Sequence, residues 1–361
     1  MSPLPPPSPA LRACVVVPAR NEEARLPHLV ASLAAQRAPD GRPLAPDTVE
    51  VIVLLNNCTD GSARSLVGAM QAFPHLRLHA VETQFAPHEA HVGRARQWLV
   101  DRATERLLDV GRPDGLVLTT DADSRVPPDW IAAAEAEVVA GADAVGGRVC
   151  LDAGERAALP AAVRRLFLLD IGYRRALEEL RSLLAPDAHD PFPRHHQHFG
   201  ACLAVTARAV RRAGGMPLVP TSEDVALVRA VEASGGRLRH SYRFHATTSA
   251  RRDGRAAGGL ADALVWWTTE SDAVRPVCVE TADAAARRLT ALGRWRRNHP
   301  GLPAPTALLS PPEPALPDDA APIESVLRAL REWTSRLQPL ALDARWARVA
   351  PSPRPLSALA A

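Results

Sequence analysis

The chain of 361 residues contains no lysine, and all 43 of its basic residues are arginines. A Gly-rich, lysine-bearing loop for a triphosphate is therefore excluded. Set against 40 acidic residues, the arginines leave a formal net charge of only +3. They are scattered rather than blocked, which excludes a nucleic-acid footprint. No run approaches the roughly 18 uninterrupted apolar residues of a membrane-spanning helix. The strongest runs, Cys14 to Val17 and Val51 to Leu55, are strand-length, so an integral membrane enzyme is not expected. The arginines leave room for peripheral association with anionic lipid. The cysteines (Cys14, Cys58, Cys150, Cys202, Cys278) are odd in number and form no C-x-x-C pair. That argues against a disulfide framework or a zinc knuckle and fits a reducing cytoplasm. The Pro/Ser-rich start, Met1 to Ala10, has no basic region followed by an apolar one and does not read as a secretory signal. No internal repeat is visible.

What is present is a globular balance of 47% hydrophobic and 23% charged residues, arranged as β-rich runs alternating with helical patterns. Strands are expected at Ala13 to Pro18, Val49 to Asn56, Leu76 to Glu82, Gly115 to Asp121 and Ala144 to Leu151. Helical spacing of Leu, Val and Ala covers Glu22 to Gln36, Asp60 to Phe73, Glu89 to Val110 and Pro128 to Ala140. Asn21 and Asp60 stand where helix caps belong, and Pro127 and Pro128 open the fourth helix. A further helix at Glu155 to Leu184 is expected to pack across the sheet. The alternation predicts an α/β chain built on a mostly parallel sheet. The organisation read from it is a disordered leader over 1–11, a main domain over 12–260 and a helical extension over 261–299. A Pro-rich linker over 300–322 and a C-terminal helix and tail over 323–361 complete it.

In an open parallel sheet, ligands bind beyond the carboxyl ends of the strands. Four groups stand there: Pro18-Ala19-Arg20-Asn21-Glu22, Asn56 to Gly61, Asp121-Ala122-Asp123-Ser124, and the segment His91 to Arg96. The carboxylates of Asp121 and Asp123, two residues apart, would share one side of an extended chain and hold Mg²⁺ or Mn²⁺. The rest of that cation's shell would come from water and diphosphate. Arg20, Arg94 and Arg96 are suited to phosphate oxygens, and Asn57 and Asp60 to a base or ribose. The histidines His195, His196 and His198 fit no standard zinc spacing and are read as an acceptor-side or lid loop.

The order and spacing of Val15 to Glu22, Asn56 to Gly61, Thr120 to Ser124 and Ser222-Glu223-Asp224-Val225-Ala226-Leu227 resemble glycosyltransferase family 2, over about Arg12 to Gly259. The resemblance implies a GT-A fold, a mixed, mostly parallel sheet flanked by helices, here with a small helical C-terminal extension. It implies a nucleotide-sugar donor, a UDP-sugar first, contacted by Pro18 to Glu22, Asn57 and Asp60. It further implies a D-x-D metal motif at Asp121 and Asp123, and Asp224 as general base with Glu223 beside it. Gly200 resembles a small residue close to the donor sugar, and His245 a third metal ligand. The Q-x-x-R-W motif of processive synthases is absent, which points to transfer of a single sugar to an acceptor hydroxyl. The alternatives are a non-catalytic nucleotide- or carbohydrate-binding protein of the same fold and, less well supported, a nucleotidyltransferase.

Overall fold

The computed structural model describes residues 4–254, 259–272, 276–311 and 317–343; Arg255 and the tail from Pro351 lie outside the described residues. Of the described residues, 4–152, 197–254 and 259 form one compact unit and 153–196, 260–272, 276–311 and 317–343 a second, so the chain leaves the first unit and returns to it. The main domain expected over 12–260 runs through both.

In the first unit the strands are β1 (Ala13–Ala19), β2 (Val49–Asn56), β3 (Arg77–Thr83), β4 (Leu116–Thr119), β5 (Ala144–Leu151), β6 (Leu203–Thr206) and β7 (Leu238–Thr248). They form one sheet in the order β3-β2-β1-β4-β6-β5-β7. Only β6 runs antiparallel to its neighbours β4 and β5. Alternation sorts the central strands onto two cores. Val15, Val17, Val51 and Val53 face one layer with Leu26, Leu29 and Trp130, whereas Cys14, Val16, Ile52 and Leu54 face the other with Leu99 and Leu203. This is the mixed, mostly parallel sheet flanked by helices that the resemblance implied.

The helices of this unit are α1 (Leu26–Ala34), α2 (Ser62–Ala72), α3 (Val92–Asp109), α4 (Trp130–Val139), α7 (Ala207–Arg212) and α8 (Glu223–Ala233). Asn21 does not cap α1, which starts five residues later. Asn21 instead takes a left-handed φ of 56° and turns its amide to Thr59. Asp60 does serve the start of α2, accepting from Ser62 N at 3.0 Å. For α3 the cap is His91, whose Nδ1 accepts from Arg94 N. Residues 4–11, expected as a disordered leader, are held in place. Leu11 is fully buried, and the carbonyls of Pro5 and Pro6 accept from Arg106 and Arg77. Those partners lie 101 and 71 residues away, beyond the reach of local pattern.

The second unit is mostly helical: α5 (Ala153–Ala158), α6 (Ala161–Leu184), α9 (Leu260–Asp272), α10 (Ala282–Asn298), α11 (Thr306–Leu309) and α12 (Ile323–Asp343), with a small ribbon of β8 (Cys278–Glu280) and β9 (Ala320–Pro322). Within this unit α6 packs on α9, α10 and α12, where Tyr173, Leu177 and Leu180 meet Leu289, Leu292 and Leu330. The stretch 300–322, expected as linker, contains α11 and β9.

Candidate active site

Strand order reverses at β1, which has β2 on one side and β4 on the other, so a crevice opens beyond their carboxyl ends. Loops on its β2 and β3 side are tied to one another. Thr59 N donates to Asn21 Oδ1 at 2.8 Å, and Gly61 N to Glu23 Oε2 at 3.0 Å. Glu23 N donates in turn to Asp60 at 3.2 Å. Asn57, with a left-handed φ of 52°, donates through its amide to the carbonyl of Phe85 and accepts from the Phe85 amide. Burial would raise the Asp60 pKa, but hydrogen bonds from Ser62 and Glu23 outweigh it and hold the carboxyl below its usual range.

On the β4 side the chain turns at Ala122 and Asp123 instead of running extended, with Ser124 N donating to the Asp121 carbonyl. The two carboxylates therefore take different partners. Asp121 accepts from Arg96 Nη2 at 2.5 Å. Asp123 accepts from the Thr248 and Ser249 hydroxyls at 3.1 and 2.9 Å and lies 3.2 Å from Arg251 Nη2. A two-residue bridge between Arg125 and Thr247 brings the end of β7 alongside this turn. Arg251 also grips Glu22 with both guanidinium nitrogens, at 2.9 and 2.6 Å. Ala122 is buried in the core and presents only backbone.

Two further acids enter at the start of α8, where Ser222 adopts a left-handed φ of 56°. Glu223, 2% exposed, accepts from Arg96 Nη1. Asp224 Oδ2 accepts from the Gly200 amide at 2.6 Å and Oδ1 from Val225 N at 2.7 Å. The Gly200 carbonyl is fixed by the Thr119 hydroxyl at 2.6 Å. A Cβ at residue 200 would take the space that the Arg96 guanidinium fills.

The cluster thus joins the carboxylates of Glu22, Asp121, Asp123, Glu223 and Asp224 to the guanidiniums of Arg96 and Arg251. Desolvation pushes Asp121 up to about 6. Arg96 opposes this, and the charges of Asp123, Asp224 and Glu223 add to it. Arg96 and Arg251 are penalised by burial, yet the surrounding acids raise both above the ordinary arginine value.

Other expected site residues lie apart from this cluster. Arg20 donates to the Ala90 carbonyl, and Arg94 pairs with Gln97 and sits over the Phe85 ring. Both stand on the side of the β3 loop. The structure does not bring His245 to the acidic pair. It lies an odd number of residues from Thr248 on β7, so its ring points to the other face and meets the Arg243 carbonyl. His198 pairs with His240 at 3.1 Å. Among the described residues no three His, Cys, Asp or Glu side chains form a set that could hold a metal unaided. Thr248, Ser249 and Arg251, at and just beyond the end of β7, are site residues that no sequence motif singles out.

Residues 14–187 match the family model described as glycosyl transferase family 2. The match includes the Asp121 turn and ends before Gly200, Glu223 and Asp224. Among curated proteins none matches the chain. Solved structures similar to it include S. aureus TarS 1–349 in complex with UDP, at 14% identity over 80% of this chain and 72% of that one, with a TM-score of 0.44. The mannosyltransferase PcManGT from Pyrobaculum calidifontis in complex with GDP-Man and Mn²⁺ is 18% identical over 95% of this chain and 90% of that one, with a TM-score of 0.45. Glucosyl-3-phosphoglycerate synthase from Mycobacterium tuberculosis, in complex with Mn²⁺, UDP and phosphoglyceric acid, is 15% identical over 75% and 81%, with a TM-score of 0.41.

Proposed function

We propose that the chain is a glycosyltransferase that moves one sugar from a nucleotide-sugar donor to an acceptor hydroxyl with inversion, Asp224 serving as base; the match of residues 14–187 to glycosyl transferase family 2 supports the reading. The observation that carries the reading is the seating of Asp224. Each of its oxygens accepts one backbone hydrogen bond, which fixes the carboxylate and leaves lone pairs for a substrate hydroxyl. UDP-sugars are the first donors to try.

A divalent cation, Mg²⁺ or Mn²⁺, fits this crevice by charge. Five carboxylates face two guanidiniums, and an anionic diphosphate does not enter such an excess of negative charge without a further cation. Asp123 and Asp121 are the residues that would hold it, with water and diphosphate oxygens completing the shell. Bound there, it would supply neutralisation of the charge that develops on the leaving diphosphate.

Asp224 takes the proton of the acceptor hydroxyl as that oxygen bonds to the anomeric carbon. The bond from that carbon to the diphosphate breaks on the opposite face, and its electron pair leaves with phosphate. The anomeric carbon becomes oxocarbenium-like, so alignment of the two partners matters more than covalent help from the protein. Glu223 supports the loop. The loops bearing Asn21, Asn57 and Asp60 form a rigid floor on the side of β2 and β3 for the base and ribose.

The test is Asp224→Asn with UDP-sugars and a panel of hydroxyl acceptors. Loss of transfer by about 10² to 10⁴, with UDP binding unchanged, is expected of a general base. Transfer at the wild-type rate would remove Asp224 from that role.

A further inference from the structure

One side chain touches both halves of the site. Arg96, in the second turn of α3, is 4% exposed; its Nη2 bonds Asp121 at 2.5 Å and its Nη1 bonds Glu223. Its Nε is buried without a hydrogen-bond partner, so these two acids set its orientation. Space for the guanidinium exists because residue 200 lacks a Cβ, and the Gly200 amide holds Asp224 at 2.6 Å. The same group therefore meets a donor-side carboxylate, the neighbour of the base, and the backbone that anchors the base.

We propose that Arg96 is a positioning residue that couples donor binding to the acceptor side: it fixes Asp224 through Glu223 and Gly200, and it competes through Asp121 with the cation that accompanies the donor. This rests on the reading of the crevice as a transferase site. The planar fork of an arginine can hold two carboxylates at once, whereas an ammonium acts as a single point charge. When a cation draws on Asp121, Arg96 loses one partner and binds Glu223 more firmly. When Glu223 is neutralised, Arg96 is left to Asp121 alone, and a cation must break a stronger ion pair to bind. Such coupling is reciprocal by thermodynamic necessity.

The experiment is a binding cycle on the full chain that needs no acceptor: calorimetry of Mn²⁺ alone, and of UDP with Mn²⁺, for the wild type, Glu223→Gln, Arg96→Gln and the double variant. Circular dichroism checks that each has folded. Where Arg96→Gln does not fold, Arg96→Lys, which keeps the charge but cannot bridge both acids, takes its place. Glu223→Gln is expected to weaken Mn²⁺ about 5-fold when Arg96 is present and less than about 2-fold when it is replaced, a coupling of the usual allosteric size. Equal weakening in both backgrounds means that Glu223 acts only through space and overturns the relay, leaving the transferase reading intact. Binding of neither Mn²⁺ nor UDP by the folded wild type overturns both.

Discussion

Arg251 shows most plainly what one residue does to the charge of this site. Its guanidinium takes both oxygens of Glu22 and lies 3.2 Å from Asp123, joining the loop after β1 to the turn after β4. Replacing it by glutamine leaves two close carboxylates short of a counter-charge. We expect Arg251→Gln to lower the melting temperature, since a broken, largely buried pair costs about 3–5 kcal/mol. Mn²⁺ should bind more tightly to the same variant, because a competing cation has gone; calorimetry showing weaker Mn²⁺ binding would contradict this. Asp121, Asp123 and Asp224 are legible as candidates in the sequence because each stands just after a strand or at a helix start; Gly200, ahead of β6, is legible only through the resemblance. Arg251 is not, since its partner Glu22 lies 229 residues away and no spacing rule links them. Arg96 was read as a phosphate ligand on residue type alone. Its neighbours in space, Asp121 and Glu223, make it a bridge between acids.

Whole elements were easier to read than their ends. The apolar runs Cys14 to Val17 in β1 and Val51 to Leu55 in β2 announce strands buried on both faces, and both strands lie inside the sheet and not at its edges. Asn21 and the glutamates after it have the pattern of a cap and first turn, yet the backbone at Asn21 is left-handed and α1 begins only at Leu26. The buried Glu50 within β2 also breaks the apolar pattern. It is held by Arg106 of α3, whose Nη2 donates at 2.7 Å, and by His79 of β3 at 3.3 Å. Burial alone would raise its pKa, but these hydrogen bonds and charges prevail and bring it down to about 2. A carboxyl with a depressed pKa stabilises the fold above its unfolded value of about 4.3 and loses that contribution as pH falls toward 2. Denaturant titrations of the wild type should therefore lose about 2–3 kcal/mol between pH 5 and pH 2 from this group. In Glu50→Gln that part of the pH dependence should be missing, on top of a lower stability at pH 7; an unchanged slope would assign the acid sensitivity elsewhere.

At the scale of the molecule, the chain crosses between two compact units at Asp152, Gln197 and Gly259, so neither unit is a single stretch of sequence. Linear boundaries drawn from composition could not show this, because burial of Leu289 and Leu330 beside Leu177 depends on contacts between distant helices. The division also has a thermodynamic consequence. Glu22, Asn57, Arg96, Asp121, Asp123, Gly200, Asp224 and Arg251 come from segments on both sides of the excursion through residues 153–196, yet all belong to the first unit. A donor that contacts several of them must therefore draw on an arrangement that exists only when 4–152 and 197–254 are folded together. Binding to the native state alone adds RT ln(1 + [L]/Kd), about 2.7 kcal/mol at a hundredfold excess over Kd. For a unit of this size that corresponds to a rise of roughly 5–10 °C in melting temperature. We expect UDP with Mn²⁺ to produce such a shift, and GDP, CDP or ADP to do so instead if the loops after β1 and β2 favour another nucleotide. The shift should shrink in Asp123→Asn, whose amide is a poorer cation ligand. Folded protein whose melting responds to none of these nucleotides, with or without Mn²⁺, would show that the crevice is not a donor site.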